Sequence, residues 1–297
     1  MSIKLLVDSG CDLSQELAKK YDIGILPFTA ICNEVEYKDG IDITSKELNE
    51  RMRKGDVFTT AQISIDGYYK AFLEEVEKGN EVISIVLSSG ITSSINSARL
   101  AKNMLLEEKP NAVIEIIDSK LASYGFGLLA RRTVEYINSG MCFKDVVLKI
   151  KELIDSTITF FTVDDLKYLY RGGRVSAAEK VVGGMLNIKP ILIVDKEGRL
   201  VPIDKARGLK KVYKKFVEMV EKETDKDLKK DQLVIIGHSD SLQSALDFKE
   251  ILESEMGFTN IYIDEIGPVI SSHSGPGTLM FSLLKKNIEE GYMNIKM

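Results

Sequence analysis

Cysteine is scarce in this sequence. Its three residues, Cys11, Cys32 and Cys142, are odd in number, lie far apart and form no CxxC pair. That spacing supports neither a disulfide framework nor a zinc site, and it fits the reduced thiols of a cytoplasmic protein. Long apolar runs are also missing. The longest span only a few residues, as in Ile191-Leu192-Ile193-Val194, against the roughly 18 needed to cross a bilayer. The opening Met-Ser-Ile-Lys-Leu-Leu-Val-Asp reaches an acidic residue too early for a signal peptide. There is no basic excess. Lys plus Arg number 40 against 45 Asp plus Glu, a net charge of −5, which argues against general nucleic-acid binding. No P-loop occurs, and no dinucleotide fingerprint follows the first strand pattern. No cluster of His, Cys or carboxylates has metal-ligand spacing, and no paired carboxylates suggest glycosidic chemistry. Together these absences favour binding over catalysis.

What is present is an ordinary globular composition. The 297 residues are 44% hydrophobic and 29% charged, enough for about two domains. Residues 3–7, 81–87 and 112–117 read as strands, and helical patterns follow near 13, over 94–106 and over 120–138. This strand, polar turn, helix rhythm predicts a parallel α/β sheet, whose ligands gather at the carboxyl ends of the strands. Asp8-Ser9, Ser88-Ser89 and Asp118-Ser119 stand at those ends. The pattern changes near residue 155. Strands are expected over 158–163, 190–194, 200–203, 233–237 and 261–264. Helices are expected over 164–170, 176–183, 209–223, 242–255 and 277–289. The turn Asp195-Lys196-Glu197-Gly198 predicts a hairpin, so this half contains antiparallel pairing. No Pro- or Ser-rich linker separates the halves, so they should pack together.

Several polar stretches stand out. Ser88 to Ser97 carries six hydroxyls and precedes a helix. One or two of them suffice to cap it, and the whole set would suit an anion. Phe58 to Ser64 also precedes a helix, and capping explains it without a ligand. In Arg171-Gly172-Gly173-Arg174 a tight turn sits between two arginines, able to clamp an anion or to bridge domains. The two histidines differ in setting. His238 lies in Gly237-His238-Ser239-Asp240-Ser241, which falls short of a nucleophile elbow because Ser241 occupies the second glycine position. Catalysis by Ser239 or from the Ser88 region, as a serine hydrolase or small phosphotransferase, is the competing reading. His273 lies in a loop of small residues, Ile266 to Gly277, open to ligand approach. Finally, Lys205, Arg207, Lys210, Lys211, Lys214 and Lys215 form a basic segment without an acid. It fits a solvated face or a docking surface.

Taken together, these stretches resemble the DegV family over nearly the whole chain. The likeness runs through Val7-Asp8-Ser9 with Asp12-Leu13, Tyr37-Lys38-Asp39-Gly40-Ile41-Asp42, the Thr60 to Ser64 stretch and the Ser88-Ser89 block. It continues through Gly172-Gly173-Arg174, Asn187-Ile188-Lys189-Pro190, Gly267-Pro268-Val269 and His273-Ser274-Gly275-Pro276-Gly277. The resemblance implies two α/β domains, here 1–155 and 156–297. The first has a mainly parallel sheet, the second a mixed sheet, and the ligand, a long-chain fatty acid, lies between them. It implies a non-enzymatic carrier that needs no cofactor. The carrier presents the fatty acid carboxylate to a separate ATP-dependent kinase subunit, then takes the acyl phosphate to acyltransferases of phospholipid synthesis. By the same resemblance Thr60, Thr92, Ser93 and His273 would bind the carboxylate, and Arg207 and Ser274 would contact the head group or its phosphate. The Arg171 to Arg174 turn would serve as an interdomain or anion loop. Apolar residues of the second domain, such as those around Val182, Met185, Leu186 and Ile188, are candidates for the tail lining. Ala61, Ile63, Ser93 and Ser271 depart from the usual Ser, Pro, Gly and Gly. The hydroxyls of Thr92, Ser93 and Ser94 are therefore alternative carboxylate donors.

Overall fold

In the computed structural model, which describes residues 2–175 and 187–287, the chain builds three sheets. The first is parallel. β1 (Ile3–Asp8) and β6 (Glu81–Val86) are apolar runs buried on both faces, as interior strands of a helix-covered parallel sheet must be. They pair with each other and with β2 (Gly24–Leu26) and β7 (Ile114–Asp118), in the order β2-β1-β6-β7. Beside this sheet stands a small antiparallel one of β3 (Thr29–Cys32), β4 (Val35–Lys38) and β5 (Thr59–Ala61).

The helices start where short polar side chains replace missing backbone partners. Ser14 accepts the Leu17 N–H ahead of α1 (Gln15–Lys20). Thr44 accepts that of Glu47 ahead of α2 (Ser45–Arg53), and Ser64 that of Gly67 ahead of α3 (Ile65–Glu77). α4 (Ser94–Glu108) is different, because Ser93 makes no such side-chain bond. α5 (Ser123–Asn138) is buried on nearly every side. It touches β1 of the parallel sheet as well as strands of the third sheet, which makes it the central element. α6 (Phe143–Ser156) covers α5 and leads directly into the next strand.

The third sheet is six-stranded and mixed. β8 (Thr157–Thr162), β9 (Ile188–Val194), β10 (Leu200–Arg207), β11 (Val234–Ser239), β12 (Ile261–Glu265) and β13 (Thr278–Leu284) take the order β10-β9-β8-β13-β11-β12. Only β11 and β12 pair in parallel; the other neighbours are antiparallel. α7 (Lys167–Arg171) follows β8. α8 (Leu209–Glu223) and α9 (Leu242–Ser254) bury Phe216 and Phe248 against Phe281 of β13 on one face of this sheet. The other face shares a continuous core with α5 and the parallel sheet. α10 (Pro268–Ser274) enters this shared region just before β13. Among the described residues no helix is long and apolar enough to cross a membrane.

The expected helix over 277–289 is a correction. Residues 278–284 form β13, fully buried between β8 and β11. A short, mostly apolar segment such as Thr278–Leu284 has no periodicity that separates a buried strand from a buried helix. Strand partners on both sides satisfy its backbone here. The expected helix over 176–183, and Val182, Met185 and Leu186, lie outside the described residues.

Candidate functional site

The strand ends of the parallel sheet and residues of β8, β9, β10 and β13 of the mixed sheet line a cavity of about 920 Å³, within the range of small-molecule sites. Phe28, Leu87 and Ile95 face it from the first half, and Phe161, Leu200 and Met280 from the second. Its polar wall is assembled from distant segments. Thr60 comes from β5, Thr92 and Ser93 from the approach to α4, Arg174 from the Gly-Gly turn after α7, and His273 and Ser274 from the end of α10.

His273 is central to this wall. Its Nε2 shares a 2.7 Å hydrogen bond with Thr60 Oγ1 across 213 residues of sequence. Burial, reinforced by the nearby Arg174 charge, pushes its pKa down to about 4, so the imidazole is neutral at pH 7. The Gly-Gly turn is built around this ring. A Cβ on Gly172 would lie 2.2 Å from His273 Nδ1, so the backbone itself packs on the imidazole and only glycine fits. Two residues on, the Arg174 guanidinium donates to the Gly172 carbonyl. No described carboxylate pairs with it, and burial alone lowers its pKa. A half-buried cation without a counter-ion on a cavity wall invites an anion.

The α4 approach adds hydroxyls and a helix start. Ser93 stands at the N-cap position, yet its Oγ donates to Gln62 Oε1 at 3.0 Å instead of capping the helix. Thr92 Oγ1 shares a 3.1 Å bond with Ser94 Oγ and accepts the Ser94 N–H. Of the three alternative donors, Thr92 and Ser93 line the cavity, while Ser94 is fully buried behind them. The fifteen-residue α4 directs its positive N-terminal end to the same wall. Ser274 is buried, and its Oγ has no hydrogen-bond partner among the described residues.

Other expected residues lie elsewhere. Arg207 is exposed on the edge strand β10, where its backbone pairs with Ile188, and neither residue is on the cavity wall. Arg171 and Gly173 are exposed and also off the wall. Ser88 bonds the Gly198 carbonyl at 2.8 Å and so fastens the β9–β10 hairpin to the parallel sheet. Ser239 is fully buried, donates to Asn49 Oδ1 at 2.9 Å and lies 2.9 Å from Ser271 Oγ. The two imidazoles bond elsewhere, His238 Nδ1 to the Ser241 N–H and His273 Nε2 to Thr60, and Ser239 is not on the cavity wall. His238 instead lines a separate cavity of about 340 Å³ with Asp240, Asp264 and Glu265. Arg99, Asn96 and Gln62 face the main cavity without having been singled out as site residues. Ser93, Asn96 and Arg99 recur every third residue, which is the available signal, since that spacing puts them on one face of α4.

Comparison with known proteins adds a family to this geometry. The model of the DegV family of uncharacterised proteins matches residues 2–286. A DegV domain-containing protein of Streptococcus pyogenes serotype M1 is 33% identical over 293 residues, covering 97% of this chain and 99% of its own. Among solved structures, a Thermus thermophilus DegV family protein described for its fatty acid binding superposes with a TM-score of 0.87 at 27% identity, over 96% of this chain and 100% of its own. A stearic acid-binding protein from Eubacterium ventriosum superposes with a TM-score of 0.84 at 30% identity, over 96% and 99%. DegV of Bacillus subtilis, described as a fatty acid binding protein, gives 0.83 at 29% identity, over 95% and 98%.

Proposed function

Because this chain belongs to the DegV family, we propose that it binds a long-chain fatty acid in the 920 Å³ cavity. The carboxylate meets Thr60, Thr92, Ser93, His273 and Arg174, and the tail lies among the apolar residues contributed by both halves. The observation that carries this reading is the neutral His273–Thr60 pair beside Arg174, which has no carboxylate partner among the described residues. Fatty acid binding by relatives of the same fold supports it.

The two parts of such a ligand have different physics. Burying roughly fourteen methylenes at about 0.8 kcal/mol each is worth on the order of 11 kcal/mol before the costs of association. The tail therefore supplies affinity. An unpaired buried carboxylate would cancel much of it, so the head group needs donors and a counter-charge. Hydroxyls and a neutral imidazole supply hydrogen bonds, and Arg174 supplies the charge. The test is titration with palmitate and with its uncharged alcohol. Wild type should prefer the acid, and Arg174→Ala should lose about tenfold for the acid while barely changing for the alcohol. Equal losses for both ligands would remove Arg174 from the head-group site.

The finer reading makes the protein a carrier, with residues 1–155 and 156–297 as its two domains. It presents the carboxylate to a separate ATP-dependent kinase subunit and conveys the acyl phosphate towards acyltransferases of phospholipid synthesis. The sequence has no P-loop of its own, which fits an external phosphoryl donor system. Arg207, Lys210, Lys211 and Lys214 are exposed on β10 and α8 and form the docking surface in this scheme. Charge reversal at Lys210, Lys211 and Lys214 should slow turnover by the kinase and leave bound lipid unchanged. Undiminished turnover would discard this surface.

A further inference from the structure

We propose that Asp39, with Asp12 beside it, is a positioning residue for the head-group histidine. These two buried carboxylates of the first half hold the N-terminal end of α10 and so set His273 at the cavity wall. The inference rests on the fatty acid reading above for its binding arm only.

α10 is seven residues long, too short to fix its own direction, and it carries His273 and Ser274 in its last turn. Gly267 is at its N-cap and cannot cap by side chain. The cap comes from outside the element. Asp39 Oδ1 accepts the Val269 N–H at 3.0 Å, across 230 residues of sequence. Asp12 Oδ1 packs on the Gly267 backbone, where a Cβ would be only 2.5 Å away, and its other oxygen accepts the Ser123 hydroxyl. Both carboxylates are at least nine-tenths buried. The Asp39 oxygen replaces the partner that the Val269 N–H lacks within the helix, and the burial of both groups limits the freedom of that end. Asp39 is itself anchored: its N–H donates to the Phe28 carbonyl at 2.9 Å, and the Ser9 hydroxyl accepts the Phe28 N–H at 3.0 Å. Phe28, Val269 and His273 all face the cavity. The Asp8-Ser9…Asp12, Asp39-Gly40 and Gly267-Pro268-Val269 segments thus meet in one contact, although no ligand-facing atom belongs to either carboxylate.

The experiment compares Asp39→Ala and Asp39→Asn with wild type. The readouts are palmitate affinity and the imidazole NMR signals of the ligand-free protein, which has only His238 and His273. Asp39→Ala should weaken palmitate binding about tenfold and move the His273 signal while the His238 signal stays in place. Asp39→Asn keeps an oxygen for the Val269 N–H and should restore most of the affinity and the His273 signal. Wild-type affinity and an unmoved His273 signal in Asp39→Ala would overturn the proposal. So would equal loss in both variants with both histidine signals displaced, which would make Asp39 a merely structural residue. If Asp39→Ala does not fold, Asp39→Ser, whose oxygen falls one bond short, takes its place under the same expectations. If wild type itself fails to bind palmitate, the fatty acid reading fails, and the His273 signal still decides the positioning role.

Discussion

His273 behaves unlike a surface histidine because water has been replaced around it by the Gly172 backbone and by a cation. Its pKa of about 4 in the folded protein, against 6.5 unfolded, has a definite consequence for stability. The contribution is fully present above pH 6.5 and is lost as pH falls through 4, since acid protonates the unfolded ring first. NMR titration should show one histidine that stays neutral at pH 5, and His273→Ala should remove that signal. The neighbouring glycine is equally specific. Gly172→Ala places a methyl group against Nδ1, so the ring must leave Thr60. Palmitate affinity should fall at least tenfold in titration while the far-UV spectrum is kept. Unaltered affinity would mean that the ring can move without cost.

At the scale of elements, the sequence pattern revealed β1, β6, α4, α5, α8 and α9 within a few residues, because each combines a long apolar pattern with polar punctuation. The strands β2 to β5 escaped, being three or four residues long and exposed in part. β13 was mistaken for a helix because both of its faces are buried and period-2 alternation disappears. The site was legible as separate polar stretches, with Thr60, Thr92, Ser93, His273 and Ser274 each visible in a local motif. Their assembly was not legible, since the contact between Thr60 and His273 depends on how two sheets pack. Arg207 illustrates the limit: the family resemblance assigned it to the head group, yet strand register leaves it on an exposed edge. The buried aromatic cluster shows what β13 does mechanically. The Phe281 ring packs in tilted contacts, with centroids 4.9–5.4 Å from those of Phe160, Phe216 and Phe248, tying the mixed sheet to α8 and α9. Phe281→Ala should cost about 3–5 kcal/mol in chemical denaturation. A loss below about 1 kcal/mol would show that this cluster is not a main support of the second half.

Across the whole molecule, buried acids leave a pH signature: Asp8 joins β1 to the end of β6 through the Leu87 N–H, and Asp39 joins the two halves through the Val269 N–H. Burial pushes Asp8 up to about 7 and Asp39 up to about 6, from 3.8. Their contribution to stability is complete below pH 3.8 and is lost as pH rises through 6 and then 7. His273 opposes them with a single proton. Between pH 5 and 7.5 the folded protein should therefore lose stability as pH rises, and Asp8→Asn should flatten the dependence of the urea midpoint. Rising stability over that interval would contradict the burial of these carboxylates.

The claim that the cavity is a fatty acid site is tested most directly by what the protein carries. Purified protein is denatured, extracted with organic solvent and analysed by mass spectrometry for released lipid. Protein stripped in the same way and refolded is then titrated with palmitate. A fatty acid in near-stoichiometric amount, or saturable binding of palmitate that is weakened by His273→Ala, is the predicted result. An extract without fatty acid, together with no binding of added palmitate, would contradict it.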